Sequence, residues 1–452
     1  MYQRILNNIC IPLYENTFKK RNLLTYQTNL EASQWLSKEQ IQKNQLQSLR
    51  ELLSHAYANV DYWQKLFDGI NLKPENIHSY QDFCRLPLLS KQIIREHDTR
   101  MLSENDTDDS WSKYTGGSTG NPLRIFYTPE SHDNRVASTR RGYAWAGCRD
   151  GVKQFYLWGT SERHMSRFAK LKTRIHEAIL RHKYFNCFYF DDARKQECVE
   201  ILNRYQPAII IGYTNALDSL ARYMKANDLK FTFKIQSIIS AAEKIHASQR
   251  QTIEEIFQAK VFNSYGSREF MLIAMECSEH EGLHLSSENL FVEIIGDDGK
   301  PVAPGEQGEI VVTDLHNYAM PLIRYRIGDL AIQARADNTC KCGRGLPMIS
   351  DVSGRILDMI KLEDGNEVPG EFFVRFIGNK PGVVQYRVIQ ESLSVISVEL
   401  VTNHLFTDVI QNAMEKDLRA VLGSQLIINI RFMDQLELTP SGKFRVTISR
   451  IQ

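Results

Sequence analysis

The sequence lacks three features that would place it in a special class of protein. Its net charge is only +1, from 55 basic and 54 acidic side chains, so no strong field directs it to nucleic acid or an anionic membrane. No apolar run approaches the roughly 20 residues that a membrane helix needs. The apolar stretch between Met1 and Pro12 is too short for a secretory signal. We therefore expect a cytoplasmic globular protein with no nucleic-acid partner and no integral membrane segment.

Internal repeats and low-complexity segments are also missing, and cysteine is sparse. Eight cysteines in 452 residues, without an export signal, are more typical of free thiols or metal ligands than of disulfides. The hydrophobic content of 42% and charged content of 24% are those of an ordinary soluble protein. The length predicts two or more domains.

Apolar periodicity predicts a helical region near the start of the chain. Ser37 and Gln40 form a capping box, and Leu36 with Ile41 forms a hydrophobic staple, which together predict a helix beginning after Ser37. The apolar residues that follow recur every three or four positions, as on the core face of a helix. They are Leu46, Leu49, Leu53, Ala56 and Val60.

An alternation of helices and strands begins near residue 193. It predicts a parallel, doubly wound sheet, in which ligands bind beyond the carboxyl ends of the strands. Glycines, aromatic residues and carboxylates follow three successive strands, so we expect a nucleotide there. These residues are Gly212-Tyr213, Ala241-Ala242-Glu243 and Tyr265-Gly266 with Glu269.

The pattern changes after residue 285 to antiparallel strands, and from about residue 356 to a small α+β domain. We expect an α/β protein with a large domain over residues 1–354 and a small domain over 355–452. The large domain comprises a helical segment (37–110), an α/β core (111–285) and an antiparallel region (286–354). The basic stretch 163–183, with four arginines and three lysines, is predicted to be a helix with a solvated face.

A glycine-rich stretch connects the helical segment to the α/β core. It reads Thr115-Gly116-Gly117-Ser118-Thr119-Gly120 and is followed by Asn121-Pro122. Such a loop lets backbone N–H groups approach a phosphate closely. It is not of the Walker type, which continues with lysine. Taken alone, a polar hairpin turn is the better interpretation.

Five short motifs occur in one order along the chain, and their order carries more information than any one of them. They are the glycine-rich stretch, Tyr265-Gly-Ser-Arg-Glu269, Tyr325-Arg-Ile-Gly-Asp329, Gly354-Arg355 with Asp358, and Ser441-Gly-Lys443. This set resembles the adenylate-forming (acyl-CoA synthetase-like) superfamily. Within it, the chain is most similar to the phenylacetate–CoA ligase group and to CapK-like relatives associated with capsular polysaccharide synthesis.

The resemblance implies a two-step reaction that uses ATP and Mg²⁺. A carboxylate attacks the α-phosphorus of ATP to give an acyl-adenylate and pyrophosphate, and an acceptor, usually the thiol of coenzyme A, then displaces AMP. In this superfamily a small, mobile C-terminal domain rotates between the two steps, here about Leu357-Asp358.

The same resemblance implies a role for each motif residue. Thr115–Gly120 would hold the β- and γ-phosphates, Glu269 the magnesium ion, and Asp329 the ribose hydroxyls. The adenine would lie between Tyr265-Gly266 and Ala241-Ala242-Glu243, with Arg355 near the ribose and phosphate. Lys443 would bridge the carboxylate and the α-phosphate in the first half-reaction alone. Taken singly, Asp329 and Lys443 are better explained as turn residues. The alternatives for Glu269 and Arg355 are a carboxylate at a helix N-terminus and a surface ion-pair partner.

Two departures from the family pattern concern the second step. The first hinge position is Leu357, where the family often has a carboxylate, and residues 361–367 are unusually acidic. Coenzyme A is the first candidate acceptor, and an amine or a sugar is the alternative. The acid is not identified: Tyr143, Trp145, Trp158 and Tyr213 either line an aryl pocket or belong to the core. The sequence does not decide between a monomer and a homodimer.

A second constellation of residues offers metal ligands. Cys340-Lys341-Cys342 follows Cys277 by about sixty residues, with His280 and His284 near the latter. Three thiolates and one imidazole suit tetrahedral zinc, and buried free thiols are the alternative. The resemblance favours a structural zinc held by Cys277, His284, Cys340 and Cys342. A zinc-dependent nucleic-acid-binding protein is a rival that the near-zero net charge disfavours.

Overall fold

The structure is a computed structural model of the chain. The described residues are 5–105, 110–114, 123–159, 167–187, 190–335, 339–355, 360–362, 367–368, 373–378, 380–423, 425–437 and 445–451. The chain divides into two compact units, a large one of residues 1–327 with 331–352 and a small one of residues 328–330 with 353–452. The domain boundary expected after residue 354 stays a prediction.

The large unit contains ten of the α-helices that the structure describes. Two wide, π-type helical segments precede them, Leu6–Cys10 and Leu13–Phe18. The helices are α1 (Leu23–Ser33), α2 (Lys38–Asn59), α3 (Asp61–Gly69), α4 (Tyr80–Phe83), α5 (Lys91–His97), α6 (Pro129–Trp145), α7 (Arg167–Leu180), α8 (Asp192–Tyr205), α9 (Thr214–Ala226) and α10 (Ala247–Phe257), with 3₁₀ turns at Pro74–Asn76 and Asp98–Met101.

Helix α2 begins where the capping signal predicts. The Ser37 side chain accepts a hydrogen bond from the backbone N–H of Gln40 and satisfies a donor that the first helical turn leaves open. Of the predicted stripe, Leu49, Leu53 and Ala56 are fully buried, and Leu46 is partly buried against the same core. The stripe joins α2 to the apolar side chains of the antiparallel strands.

The strands of the large unit form a hairpin and one eleven-stranded sheet. The strands are β1 (Trp111–Tyr114), β2 (Arg124–Tyr127), β3 (Gln154–Trp158), β4 (His182–Asn186), β5 (Ile209–Tyr213), β6 (Ser237–Ala241), β7 (Lys260–Ser267), β8 (Met271–Glu276), β9 (Leu283–Leu285), β10 (Leu290–Ile295), β11 (Gln307–Asp314), β12 (Tyr325–Gln333) and β13 (Met348–Arg355). In the sheet they lie in the order β10-β11-β12-β13-β9-β8-β7-β6-β5-β3-β4.

The strands from β4 to β7 are parallel, as the alternation of helices and strands predicts. Side chains on a strand alternate between the two faces of a sheet. Accordingly, Ile210 and Ile238 pack in a cluster with helices α8, α9 and α10, whereas Ile209 and Ile211 pack with the end of α6. Helices therefore cover both faces of the sheet, and the predicted α/β fold with a doubly wound sheet is confirmed.

Two details of the large unit differ from expectation. The antiparallel strands do not form a separate sheet, because β7 and β8 pair as an antiparallel hairpin that continues the parallel sheet. The prediction of one helix over residues 163–183 is also wrong at its C-terminal end, because helix α7 ends at Leu180. Arg181 adopts a left-handed backbone conformation (φ 60°), and the chain then pairs with β3 as the edge strand β4.

The small unit has a mixed four-stranded sheet in the order β18-β17-β16-β19. Helix α11 (Asp408–Leu422) contributes Met414, Leu418 and Leu422 to its core. A wide turn, Val374–Gly378, adds Ile377 to that core. The strands are β14 (Ile360–Lys361), β15 (Glu367–Val368), β16 (Val383–Ser392), β17 (Val395–Thr402), β18 (Ile427–Phe432) and β19 (Thr447–Ser449).

Candidate functional site

The carboxyl ends of the central parallel strands lie side by side. Tyr213, the last residue of β5, pairs with Ala241, the last residue of β6, and Ala241 pairs with Ser264 of β7. Each strand is buried up to this edge. The structure therefore brings three of the predicted strand-end segments into one row, because parallel strands in register end at the same edge.

The segment that follows β6 is held against helix α9. Ala242 has a left-handed backbone (φ 69°), a conformation that costs a residue with a Cβ atom about 1 kcal/mol or more. The Glu243 carboxylate accepts a hydrogen bond from the Asn215 N–H at 2.9 Å, and the Glu243 carbonyl accepts one from the Thr214 hydroxyl at 3.0 Å. Glu243 is thus an anion at the positive end of α9, and this favourable placement holds the Ala241–Glu243 segment beside β5.

The turn between β7 and β8 positions Glu269. A Cβ atom on Gly266 would lie 2.2 Å from the Met271 carbonyl oxygen, so only glycine fits this tight bulge. Glu269 is 7% exposed, and no hydrogen bond or ion pair joins its carboxylate to any residue that the structure describes. The carboxylate oxygens are not fully buried, so they are open to contact by a cation.

Two aromatic side chains stand at the neighbouring strand ends. The rings of Trp158 on β3 and Tyr213 on β5 lie 4.3 Å apart between centroids, and Tyr213 is 8% exposed. Burial, with Cys187 and Glu243 nearby, raises the pKa of Tyr213 to about 12. The Tyr213 hydroxyl is therefore protonated at neutral pH and is able to donate a hydrogen bond.

Trp145, the other predicted pocket residue, lies beside the cysteine–histidine cluster. Its indole N–H donates to Gln34, and its ring meets that of His284 edge to face at 5.5 Å between centroids. The guanidinium of Arg344 lies 4.7 Å from the centre of the Trp145 ring. These contacts give Trp145 a packing role there, and its assignment to the acyl pocket stays a prediction.

The remaining predicted site residues belong to other parts of the chain. Asp329 is buried in β12, and Arg355 is the last residue of β13; both are grouped with the small unit. The strands that flank the glycine-rich stretch, β1 and β2, pair antiparallel with Tyr114 opposite Arg124. Outside the described residues lie Thr115, Gly116, Gly117, Ser118, Thr119, Gly120, Leu357, Asp358 and Lys443.

The four proposed zinc ligands converge, although about 60 residues separate the two halves of the set. One ligand atom from each of Cys277, His284, Cys340 and Cys342 lies within 4.8 Å of all the others. The Sγ atoms of Cys277 and Cys340 are 3.5 Å apart, and Cys342 Sγ is 3.3 Å from His284 Nε2. Tetrahedral zinc with bonds of about 2.0–2.3 Å needs separations of this size.

The surroundings of His284 fit a ligand role. Its Nδ1 atom lies 3.3 Å from the Leu346 carbonyl oxygen, which leaves Nε2 directed to the thiols. Burial lowers the pKa of His284 to about 4, so the imidazole is neutral, as metal binding requires. His280 instead lies against the Glu276 carboxylate, 3.2 Å from Nδ1 to Oε2. The donor set therefore fits a zinc ion with four protein ligands.

Two kinds of group at these sites escape sequence analysis. One is the backbone: the Leu346 carbonyl that orients His284 and the Asn215 N–H that holds Glu243 carry no side-chain signal. The other is the side chain of Trp158. From sequence it is either a core residue or a residue of the aryl pocket, and the pairing of β3 with β5 places it against Tyr213. The sheet register is therefore needed to distinguish it from the other aromatic candidates.

Two family models match the chain. The model of AMP-binding enzymes matches residues 91–318, half of the chain. The model of the CapK C-terminal domain matches residues 360–450. The first match contains the row of strand ends and Glu269, and the second covers most of the small unit.

Curated relatives agree with both matches. The chain is 24% identical to Protein CapK of Staphylococcus aureus, over 90% of this chain and 89% of that protein. It is 25% identical to phenylacetate-coenzyme A ligase of Escherichia coli (strain K12), over 76% of this chain and 78% of that protein. A second phenylacetate-coenzyme A ligase, from Thermus thermophilus, is 23% identical over 81% of each.

Solved structures share the fold. A 2-hydroxyisobutyryl-CoA ligase with 2-HIB-AMP, in the postadenylation state, superposes with a TM-score of 0.70 at 19% identity, covering 90% of this chain and 89% of that one. The anthranilate CoA ligase AuaEII with anthranoyl-AMP gives 0.54 at 17% identity, covering 74% and 64%. Family models, relatives and fold together show that the chain belongs to the AMP-binding enzyme family, as a phenylacetate–CoA ligase-like, CapK-like enzyme of the adenylate-forming ligase superfamily.

Proposed function

We propose that this enzyme activates a carboxylic acid with ATP, forms an acyl-adenylate and pyrophosphate, and transfers the acyl group to the thiol of coenzyme A. The curated phenylacetate-coenzyme A ligases support this assignment. The nucleotide site is the row of strand ends with the Glu269 turn.

The observation that carries the proposal is that the Glu269 carboxylate has no cationic or hydrogen-bonding partner among the described residues. The residue is 7% exposed and lies within residues 91–318, which match the AMP-binding model. Oxygen from carboxylates is the preferred ligand of Mg²⁺, which in such sites also contacts the phosphates of the nucleotide. Glu269 therefore has the chemistry and the accessibility to hold the magnesium of Mg-ATP.

The other residues then have separate tasks. The Ala241–Glu243 segment, held rigid by Asn215 and Thr214, forms one wall for the adenine, and Tyr265 forms the other. Phosphoryl transfer is mainly positioning and charge stabilisation, so a rigid wall and a placed cation are what the site must supply. Thr115–Gly120, Asp329, Arg355 and Lys443 are proposed to hold the phosphates, ribose and α-phosphate as the family motifs imply.

A second acceptor class is the alternative for the transfer step. The small unit matches the CapK C-terminal domain model, and Protein CapK is matched along 90% of the chain. The resemblance to relatives of capsular polysaccharide synthesis favours an amine or a sugar hydroxyl as acceptor. Adenylation is common to both alternatives, and only the group that displaces AMP differs.

The first experiment measures ATP–pyrophosphate exchange with aryl, acyl, amino and uronic acids. We expect exchange that depends on Mg²⁺ and on one class of acid. Protein that binds ATP but shows no exchange with any acid would contradict the proposal. AMP release with coenzyme A, compared with amine and sugar acceptors under the same conditions, then separates the two transfer alternatives.

We further propose that Cys277, His284, Cys340 and Cys342 hold one structural zinc ion. A zinc ion with four protein ligands offers no open position to a substrate, so its contribution is folding free energy. It would join β8, β9 and the 340–342 knuckle within the large unit. Metal analysis of protein purified without chelators should find about one zinc per chain, and metal-free protein would overturn the assignment.

A further inference from the structure

The first helical segments of the chain expose an apolar stripe. Ile5, Ile9, Leu13 and Phe18 are 44%, 59%, 50% and 73% exposed. They recur every four or five residues, a spacing that suits the two wide π-type segments, which contain Ile9, Leu13 and Phe18 and directly follow Ile5. The stripe therefore runs straight along one side of the segment. Single exposed apolar residues are ordinary, but four on one line are not.

The opposite side of the same segment is fixed to the protein. Leu6 and Ile11 are buried, and the buried Glu15 forms ion pairs with Arg21 and Arg140 of helix α6. The segment is thus seated on the large unit by one face, while the apolar stripe faces away. Loose packing of the segment does not explain this exposure, because Leu6, Ile11 and Glu15 on its other face are buried against the large unit.

Helix α7 extends the exposed apolar surface. Its residues Ile175 and Ile179, one turn apart, are 52% and 47% exposed. The ring of Tyr14 in the first segment lies 6.0 Å from that of His176 on α7, so the two elements adjoin. Tyr184 on the edge strand β4, which follows α7, is a further aromatic residue at 39% exposure.

Basic residues lie close to this surface along the sequence. Residues 163–183 contain seven basic side chains and one acidic one, Glu177, although the whole chain has a net charge of only +1. Lys19 and Lys20, directly after Phe18, are exposed, and so is Lys183. An apolar face bordered by lysine and arginine is the pattern of a helix that lies in the interface of an anionic bilayer.

We propose that this surface, formed by Ile5, Ile9, Leu13, Phe18, Ile175 and Ile179, binds the enzyme to the surface of a membrane containing anionic phospholipids. The apolar side chains enter the boundary between headgroups and acyl chains, and the basic residues contact lipid phosphates. The segments lie on the membrane, since no helix among the described residues is long and apolar enough to cross it.

A second copy of the chain is the competing occupant, and charge disfavours it. A symmetric dimer through this surface would place like charges, the exposed Lys19 and Lys20 of each chain, at one interface. The same charges are attracted to an anionic bilayer. The proposal concerns where the enzyme acts and does not depend on its acid or acceptor.

The test is flotation of the full-length protein with vesicles. We compare vesicles of phosphatidylcholine with vesicles that also contain about 30 mol% phosphatidylglycerol, because the surface charge then differs at equal apolar content. The variant Ile9→Ser/Leu13→Ser/Phe18→Ser removes the centre of the stripe. The matched control, Val384→Ser/Leu393→Ser/Val409→Ser, changes three apolar residues of the small unit with 54%, 43% and 77% exposure.

We expect the wild type and the control to bind the anionic vesicles, and the stripe variant to bind at least about tenfold less. Replacing Lys19 and Lys20 by alanine should weaken binding by roughly fivefold for each lysine. Circular dichroism melting verifies that all variants are folded. The proposal is overturned if the wild type does not bind anionic vesicles, if neutral vesicles bind it equally well, or if the stripe variant binds as the wild type does. A wild-type dimer that the stripe substitutions dissociate, without vesicle binding, would instead identify a second copy.

Discussion

The cysteine–histidine cluster and the row of strand ends are opposite kinds of site. In the cluster, four ligand atoms already lie within 4.8 Å of one another, and every ligand faces another ligand. At the strand ends, the Glu269 carboxylate has no partner among the described residues, although the residue is 7% exposed. A site closed by its own protein atoms stabilises a fold, whereas a site with an unpaired charge that is open to a cation is prepared for a ligand. On the proposed function, the first site stabilises the fold and the second carries out the chemistry.

The largest expected effect concerns Lys443, which we propose acts in the first half-reaction alone. Lys443→Ala should lower the rate of ATP–pyrophosphate exchange by two to three orders of magnitude, about 2.7–4 kcal/mol, because one charge contact to the transition state is lost. Transfer from a chemically prepared acyl-adenylate should keep nearly its original rate. Lys416→Ala, at an exposed position of helix α11, is the control. Equal slowing of both half-reactions would show that Lys443 acts on folding or binding.

The second largest expected effect comes from removing the negative charge of Glu269. Glu269→Gln keeps the volume of the side chain and should slow exchange on the order of a hundredfold, because the metal contributes several kcal/mol to phosphoryl transfer. The Mg²⁺ concentration for half-maximal exchange should rise, while the melting temperature stays the same or increases. Glu279→Gln, at a nearby exposed position, serves as the control. An unchanged magnesium dependence would remove Glu269 from the metal site.

The corresponding change in the cluster should act on stability. Cys340→Ser should reduce the zinc content from about one ion per chain and lower Tm on the order of 5–10 °C, because a ligand that binds only the folded state stabilises it. Cys10→Ser, at an exposed cysteine outside the cluster, tests whether loss of any thiol has this effect. Full zinc occupancy with an unchanged Tm would show that the four residues are only neighbours.

The smallest expected effect concerns the turn that carries Glu269. Gly266→Ala would place a methyl group 2.2 Å from the Met271 carbonyl oxygen and should lower the free energy of unfolding by about 1–3 kcal/mol. Gly69→Ala, where no atom lies within 4 Å of the added carbon, should leave stability unchanged or slightly higher. Denaturant unfolding measures both. Equal stability of the two variants would mean that the bulge has room for a side chain.

Local pattern predicted those parts of the fold that local chemistry determines. Helix α2 begins after Ser37, as its capping signal predicts, and antiparallel strands follow residue 285, as the change of pattern predicts. The sequence does not predict strand β4, because His182–Asn186 has no apolar alternation and its pairing with β3 is a tertiary contact. The antiparallel pairing of β7 with β8 joins the parallel strands and the antiparallel strands into one sheet, and local sequence does not predict this pairing either.

The candidate sites divide in the same way. The sequence identifies Glu269, Cys277 and Cys340, because the side chain of each is of a type that binds metal ions. It does not identify their partners: the Leu346 carbonyl and the Asn215 N–H are backbone atoms that the fold alone brings into place. The contact of Trp145 with His284 likewise depends on how α6 packs on the sheet. Sequence therefore predicts which groups react, and the structure adds which groups hold them.

The most direct test of the division between chemistry and stability is the rate of acid-dependent ATP–pyrophosphate exchange per folded molecule. It is measured for Glu269→Gln and Cys340→Ser, well below the Tm of each variant. We predict that Glu269→Gln loses about two orders of magnitude while folded as the wild type, and that Cys340→Ser retains its rate within about threefold despite its lower Tm. A Cys340→Ser variant that is folded but inactive, beside an active Glu269→Gln variant, would contradict the account.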